Sequence, residues 1–288
     1  MIAPLAGTVE RPRSLAAALD ALAPGPAPAR LLAGGTDLMV EVHAGRSRPE
    51  RVVDLSLVAE LRGIRRGAAG TWIGAATTCT DLLADAELAR ELPLLRDVAL
   101  QFAAPQIRNR ATVGGNLATA SPAGDLAPAL LVLDAVVHLR SLRGAREVPL
   151  AAFFTGYRRH AGAPDELIEA VFVPARPAGE RAAFAKAGTR AAQSIAKVNV
   201  ALSMVARDGR IDRLAGAAGA VADRPVRLPS LQTLVGTAPS PPALLAAATA
   251  AARSDCAPID DVRSTAQYRR HALQRLLAAL LAALLREA

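Results

Sequence analysis

Apolar and polar positions alternate along this chain with a period that changes several times, and each change predicts an element. Leu15 to Leu22 repeats at helical spacing behind Ser14, whose hydroxyl suits the cap of a first helical turn. Pro24-Gly25-Pro26 and Pro28 break that helix, a strand follows at Arg30 to Ala33, and Asp37 to Val42 reads as helix. Arg51 to Leu55 is a short buried strand. Glu60 to Arg65 and Thr71 to Ala75 form a hairpin around Gly67 to Gly70. Thr80-Asp81 caps the next helix, Leu92 to Phe102 makes another, and Ala103 to Ala111 reads as an extended connection. Leu126 to Leu133 is helical, Ala135 to Ser141 and Arg146 to Leu150 pair around Arg143-Gly144, and Pro174 stops a strand over Glu166 to Val173.

The two prolines and glycine of Pro174 to Gly179 mark a domain boundary, which divides the chain into 1–175 and 176–288. The second part opens with Ala182 to Lys186. Strands Ile195 to Arg207 and Arg210 to Val221 follow, joined by Asp208-Gly209, a strong hairpin signal. Pro229 to Val235, Pro242 to Arg253 and Thr265 to Glu287 read as helices, the last with Leu273, Leu276, Leu277, Leu280, Leu281 and Leu284 at helical spacing. Strands come in hairpins rather than in regular alternation with helices, so the fold class is α+β.

Composition narrows this picture. A chain of 288 residues can bury the cores of two domains. The net charge of +8 is carried by arginine, since Lys186 and Lys197 are the sole lysines, and aromatic residues make up 3%. With no basic run and no stacking platform, the charge describes a solvated surface and not a nucleic-acid site. Cys79 and Cys256 are lone thiols, and His43, His138, His160 and His271 are scattered, so the chain encodes no iron–sulfur or zinc site. The start, Met1 to Leu5, lacks the features of a signal peptide. Leu276 to Leu285 falls short of the roughly twenty residues that span a bilayer. A cytoplasmic location is expected.

Chemistry concentrates in Thr112 to Asp125, where Val113 leads into Gly114-Gly115-Asn116. A glycine pair permits positive φ and lets a ligand approach the main chain, and a concave row of amides holds phosphate. Asp125 would repel phosphate and so fits sugar hydroxyls; it also stands where a helix cap would. Upstream, Leu32-Ala33-Gly34-Gly35-Thr36-Asp37-Leu38 repeats the arrangement of a strand running into a glycine pair. Two such cradles suit a pyrophosphate. Neither has the spacing of the dinucleotide fingerprint or of the phosphate-binding loop of nucleotide hydrolases.

Leu31 to Leu38, Phe102, Thr112 to Asn116 and Asp125 resemble the FAD-binding domain of the molybdenum hydroxylases, the xanthine dehydrogenase and carbon monoxide dehydrogenase family. The resemblance continues to Ser264 to Arg270. It implies the separate flavoprotein, or medium, subunit: a two-part FAD-binding domain of the PCMH/VAO-like type followed by a smaller α+β domain of antiparallel sheet and helices. It implies noncovalent FAD, with Leu32 to Leu38 as one amide cradle, Thr112, Val113, Gly114, Gly115 and Asn116 as the other, and Asp125 on ribityl or ribose hydroxyls. Phe102 and Ile168 fall at the family's aromatic and aliphatic flavin contacts, and Lys186 at a lysine whose charge stabilises reduced flavin.

The implied partners are a large molybdenum-cofactor subunit and a small subunit with 2Fe–2S clusters, in a heterotrimer or a dimer of heterotrimers. Electrons would pass from substrate at molybdenum through the clusters and FAD to NAD or another acceptor. No residue stands out as acid, base or nucleophile. Two other readings stand beside this one: a free-standing noncovalent flavin oxidoreductase, and a nucleotide-binding assembly module without redox chemistry. No histidine lies in Ala33 to Val42 or Gln101 to Asp125 to attach flavin covalently.

Overall fold

A computed structural model describes residues 7–23, 25, 27–190 and 193–286. The expectations for Met1 to Leu5, for Pro24 and Pro26, and for Glu287 lie outside the described residues. The chain begins with β1 (Thr8–Glu10), α1 (Leu15–Leu22), β2 (Ala29–Leu32), α2 (Leu38–His43) and β3 (Arg51–Asp54). Ser14 caps α1, its hydroxyl oxygen accepting from the Ala17 amide. These strands form a parallel sheet in the order β1-β3-β2. Hairpins therefore do not account for every strand. Helices separate the strands of this unit, and only such crossovers let consecutive strands run the same way.

The second unit opens with the hairpin of β4 (Ile64–Gly67) and β5 (Gly70–Gly74). Its first strand begins later than expected because Ala59–Leu61 coils into a 3-10 turn. Three helices follow, α3 (Cys79–Ala84), α4 (Ala86–Glu91) and α5 (Pro93–Gln101). The cap of α3 is Thr78, not Thr80-Asp81: the Thr78 hydroxyl and the Asp81 carboxylate each accept the other residue's amide. The stretch from Ala103 to Ala111 is not fully extended either. Pro105 starts a short helix, α6 (Pro105–Arg108), with its fixed φ at a position that needs no amide.

Next come α7 (Val113–Thr119), α8 (Leu126–Val132), β6 (Val136–Ser141), β7 (Gly144–Pro149), α9 (Leu150–Phe153), β8 (Phe154–Gly156), β9 (Arg159–His160) and β10 (Leu167–Pro174). Five strands pair antiparallel in the order β4-β5-β10-β6-β7. Ile73, Val137, Leu139, Val171 and Val173 turn one face of this sheet toward Leu82, Leu94, Leu117 and Leu130 of the helices.

The last part contains β11 (Arg181–Ala187), β12 (Val198–Arg207), β13 (Arg210–Gly219), β14 (Val226–Arg227), α10 (Pro241–Ser254) and α11 (Ala266–Arg286). Its four strands pair antiparallel in chain order. Asp208 and Gly209 both take positive φ, +50° and +75°, as a tight hairpin between right-twisted strands requires. Pro229–Leu234 is a 3-10 helix rather than an α-helix. Leu273, Leu277, Leu281 and Leu284 bury one stripe of α11 against the sheet, while Leu276 and Leu280 flank it half-buried. The opposite face of the sheet supplies Phe184, Ala201, Ala215 and Ala217 to the core of the second unit. Helix α8 lies against β12 and β13 of this sheet on one side and against α5 and α7 of the second unit, and each of its residues from Leu126 to Val132 is buried.

Arg269 of α11 ties this part together from inside, at 4% exposure. Its guanidinium donates to the carbonyls of Lys197 and Ala220 and to Asp261 Oδ1, at 3.0, 2.8 and 2.6 Å. Arg269→Met keeps the aliphatic stem, removes the donor to the Lys197 and Ala220 carbonyls, and takes the cation from Asp261, which keeps the Arg263 and Ser264 amides. It is expected to destabilise the protein by about 3 kcal/mol, the scale of a broken buried charged network. Urea unfolding measures this; a midpoint equal to wild type would show that the guanidinium contributes nothing net.

Candidate functional site

The parallel-sheet unit and the five-stranded unit touch most closely at Gly34. A Cβ there would sit 1.9 Å from the carbonyl oxygen of Arg110, so only glycine allows the approach. Beside this contact lies a cavity of about 590 Å³, within the range of small-molecule sites. Leu32, Ala33, Gly34, Gly35, Thr36, Asp37 and Leu38 form one wall. Phe102, Thr112, Gly114, Gly115, Asn116 and Ile168 belong to the other. Of the residues singled out in the sequence, Val113, Asp125 and Lys186 do not line it.

The first wall carries an open row of donors. Among the described residues, the amides of Gly34, Gly35, Thr36 and Asp37 donate to no protein acceptor. Gly35 has φ +76°, which turns the loop back on itself before α2. Asp37 leaves these amides free because its carboxylate points elsewhere. It accepts from the Thr119 hydroxyl at 3.1 Å and lies 4.0 Å from Arg158. Such a row attracts the oxygens of an anion.

The second wall differs from the expected amide cradle. Thr112 caps α7, and its Oγ1 accepts from the Gly115 amide at 3.0 Å. The amides of Val113, Gly114 and Asn116 donate to Thr77, Ala75 and Thr112 carbonyls, at 3.0, 2.8 and 2.9 Å. Neither Gly114 nor Gly115 has positive φ. They are glycines for space: a Cβ at Gly114 would lie 2.5 Å from the Ala75 Cβ, and one at Gly115 would lie 2.7 Å from Thr112 Oγ1. Asn116 also lines the cavity, but its Oδ1 is buried beside Gly124, out of reach of solvent, and accepts no hydrogen bond from the protein.

Asp125 and Lys186 meet behind the wall. Lys186 Nζ is 2.5 Å from Asp125 Oδ2, and the two side chains are 6% and 7% exposed. Asn199 Nδ2 donates to Asp125 Oδ1 at 2.8 Å. Asp125 makes no cap bond to α8, contrary to the sequence reading. Burial pushes its carboxyl pKa upward, and the Lys186 ammonium, with the Asn199 amide, works against that rise. Lys186 also donates to the Gln101 carbonyl at 3.4 Å, one residue before Phe102, so its charge is neutralised inside the protein rather than presented as a free cation. Phe102 follows the end of α5, and Ile168 sits at a bulge in β10.

Two contributors carried no sequence signal. Arg158, in the β8–β9 turn at φ +51°, pairs with Glu41 of α2 at 2.9 Å across the cavity rim. His160 stacks on Phe153 with ring centroids 5.1 Å apart, and burial lowers its pKa. Asn199 had a signal: a lone amide in the apolar strand Val198 to Val205. The Cys79 and Cys256 thiols are buried, which pushes both up to about 12 and leaves them protonated.

Residues 5–176 match the family model described as the FAD binding domain in molybdopterin dehydrogenase, and residues 182–284 match that of the CO dehydrogenase flavoprotein C-terminal domain. A putative xanthine dehydrogenase FAD-binding subunit of Escherichia coli is 35% identical over 268 residues, 92% of this chain and 91% of that one. The carbon monoxide dehydrogenase medium chain of Afipia carboxidovorans is 34% identical over 260 residues, 90% of each chain. The solved structure of reconstituted CO dehydrogenase from Oligotropha carboxidovorans contains a chain that superposes with a TM-score of 0.95 at 32% identity, covering 99% of this chain and all of that one. With both family models, the relatives and both halves of the fold in agreement, the chain belongs to the FAD-binding subunits of the molybdenum hydroxylase family.

Proposed function

We propose that this chain holds one FAD noncovalently in the cavity between its first two units and acts as the electron-transfer subunit of a molybdenum hydroxylase. The observation that carries the reading is the open amide row, Gly34 to Asp37, along a cavity of about 590 Å³ between the two walls. The amides suit pyrophosphate oxygens. Phe102 and Ile168 give the cavity apolar surface for a ring. Asp125 and Lys186 act from behind Phe102, as a neutral pair rather than as direct contacts. When bound, the flavin supplies two-electron storage with one-electron exchange, which the side chains of this subunit lack.

Residues 1–175 serve as the FAD-binding domain and 176–288 as the smaller domain that backs it. A large subunit with the molybdenum cofactor and a small subunit with 2Fe–2S clusters deliver the electrons, in a heterotrimer or its dimer, and NAD or another acceptor removes them. Among the described residues no helix is long and apolar enough to cross a membrane. A cytoplasmic complex fits this reading.

Protein produced with ample flavin is expected to be yellow and to release intact FAD on acid or heat treatment. A folded, colourless protein that ignores added FAD would refute the proposal. Mixed anaerobically with both partners and a candidate aldehyde or N-heterocycle, the subunit's flavin is expected to bleach. Omitting either partner should abolish the bleaching; turnover of such a substrate by the chain alone would replace the relay with a free-standing oxidase.

Gly34→Ala tests the cradle directly. Its Cβ collides with Arg110 backbone, so the walls must part, at a cost of about 1–3 kcal/mol typical of overpacking, and FAD uptake is expected to fail. Gly67→Ala meets no atom within 4 Å and is expected to bind FAD like wild type. Equal FAD affinity for the two variants, measured by quenching of flavin fluorescence, would move the cofactor away from this contact.

A further inference from the structure

The loop from Ser121 to Asp125, between α7 and α8, is held by the C-terminal sheet, through Lys186 of β11, Asn199 of β12 and Ala220 just past β13. Lys186 of β11 pairs with Asp125. Asn199 of β12 donates through Nδ2 to the Gly124 carbonyl at 3.2 Å and to Asp125 Oδ1 at 2.8 Å. Ala220, just past β13, donates its amide to the Pro122 carbonyl at 2.7 Å. Asn199 is central to the set: it is fully buried, and it stands opposite both Lys186 and Gly219 in the sheet register. Its side chain turns toward the loop across Gly219, where a Cβ would lie 2.3 Å from Asn199 Oδ1.

Each end of this arrangement touches the cavity. Gly124 packs on the Asn116 side chain, since a Cβ on it would come 3.4 Å from Asn116 Oδ1. Lys186 reaches the Gln101 carbonyl, which leads into Phe102. An apolar strand has no packing use for an asparagine, and burying one whose Oδ1 finds no partner carries a free-energy cost. That cost is tolerated where the other end of the amide has work to do.

We infer that Asn199, which contributes nothing to the cavity wall itself, is a positioning residue for FAD: it locks the Ser121–Asp125 loop and the Lys186 pair, and through them sets the placement of Asn116 and Phe102. This rests on the reading of the cavity as the FAD site.

The test uses the full-length chain as apoprotein, titrated with FAD and followed by flavin fluorescence. The visible circular dichroism of bound flavin at saturation and the thermal midpoint of the apoprotein are read alongside. Asn199→Leu removes the donor at similar volume, Asn199→Ser keeps a shorter one, and Gly219→Ala crowds both the Asn199 side chain and the Pro122 carbonyl of the loop it holds. Ser203→Ala, on the same strand, loses a buried bond to Glu180 that does not touch the loop.

Asn199→Leu and Gly219→Ala are expected to weaken FAD binding by at least about tenfold, the factor of one lost buried hydrogen bond, and to change the flavin's visible dichroism. Asn199→Ser falls between them and wild type. Ser203→Ala lowers the thermal midpoint and leaves affinity and dichroism unchanged. Wild-type affinity and dichroism in Asn199→Ser and Gly219→Ala overturn the inference even if Asn199→Leu fails to fold. So does a Ser203→Ala variant that weakens FAD as much as Asn199→Ser, because the effect is then general strand destabilisation. Wild-type protein that takes up no FAD at all instead overturns the assignment of the cavity.

Discussion

Burial of α8 between the C-terminal sheet and the helices of the second unit is the constraint on which the other contacts depend. Strands β12 and β13 cover one side of α8, and α5, α7 and α9 stand against it, within one apolar cluster that also takes in the inner face of the five-stranded sheet. A helix covered on all sides has no polar stripe, and Leu126 to Val132 has none. Each large apolar side chain so enclosed contributes about 1.5–3 kcal/mol relative to exposure, so the two domains share one core and do not slide past each other. The loop that enters α8 is fixed as a result. That loop carries Asp125, and its position decides where the charge of Lys186 is neutralised.

The two glycine pairs look alike in sequence and do different physical work. Gly34-Gly35 serves a close approach of two backbones and a left-handed turn, and it leaves amides free. Gly114-Gly115 lets a helix press against the end of β5, and its amides are consumed in doing so. The polarity of the cavity follows from this asymmetry, with free donors on one wall and consumed amides on the other. A ligand with anionic oxygens at one end satisfies it.

Much of this was legible in the residue pattern, for identifiable reasons. Ser14 before an apolar helical repeat, Asp208-Gly209 between apolar runs and the leucine stripe of α11 are local signals, and the structure follows them. The parallel pairing of β1, β2 and β3 is not local; it depends on which strands meet after the helices have packed. The capping box of α3 is legible at Thr78 and Asp81, two residues ahead of the Thr80 that stands next to the same aspartate. The fate of the Thr112 to Asn116 amides could not be read, because their acceptors, Ala75 and Thr77, lie on a strand end brought in by tertiary packing. Lys186 stood out as one of only two lysines, yet its ion pair is made by a residue sixty-one positions away. Arg158 left no trace, since a turn arginine is indistinguishable from any solvated one until the rim it bridges exists.

The first unit packs into a small cluster that it shares with the edge of the second. Ala18, Leu19, Leu22, Val53 and Leu55 pack with Leu61, Ala76 and Leu167, apart from the large cluster around α8. Few buried contacts mean a low free energy of sub-global opening, so this unit is the part of the molecule whose amides exchange with solvent first. Its strand β2 leads into one wall of the cavity. A molecule seated across both walls therefore shifts the opening equilibrium of the weaker half by mass action, and its binding energy appears as added stability in the part of the chain that has least of its own.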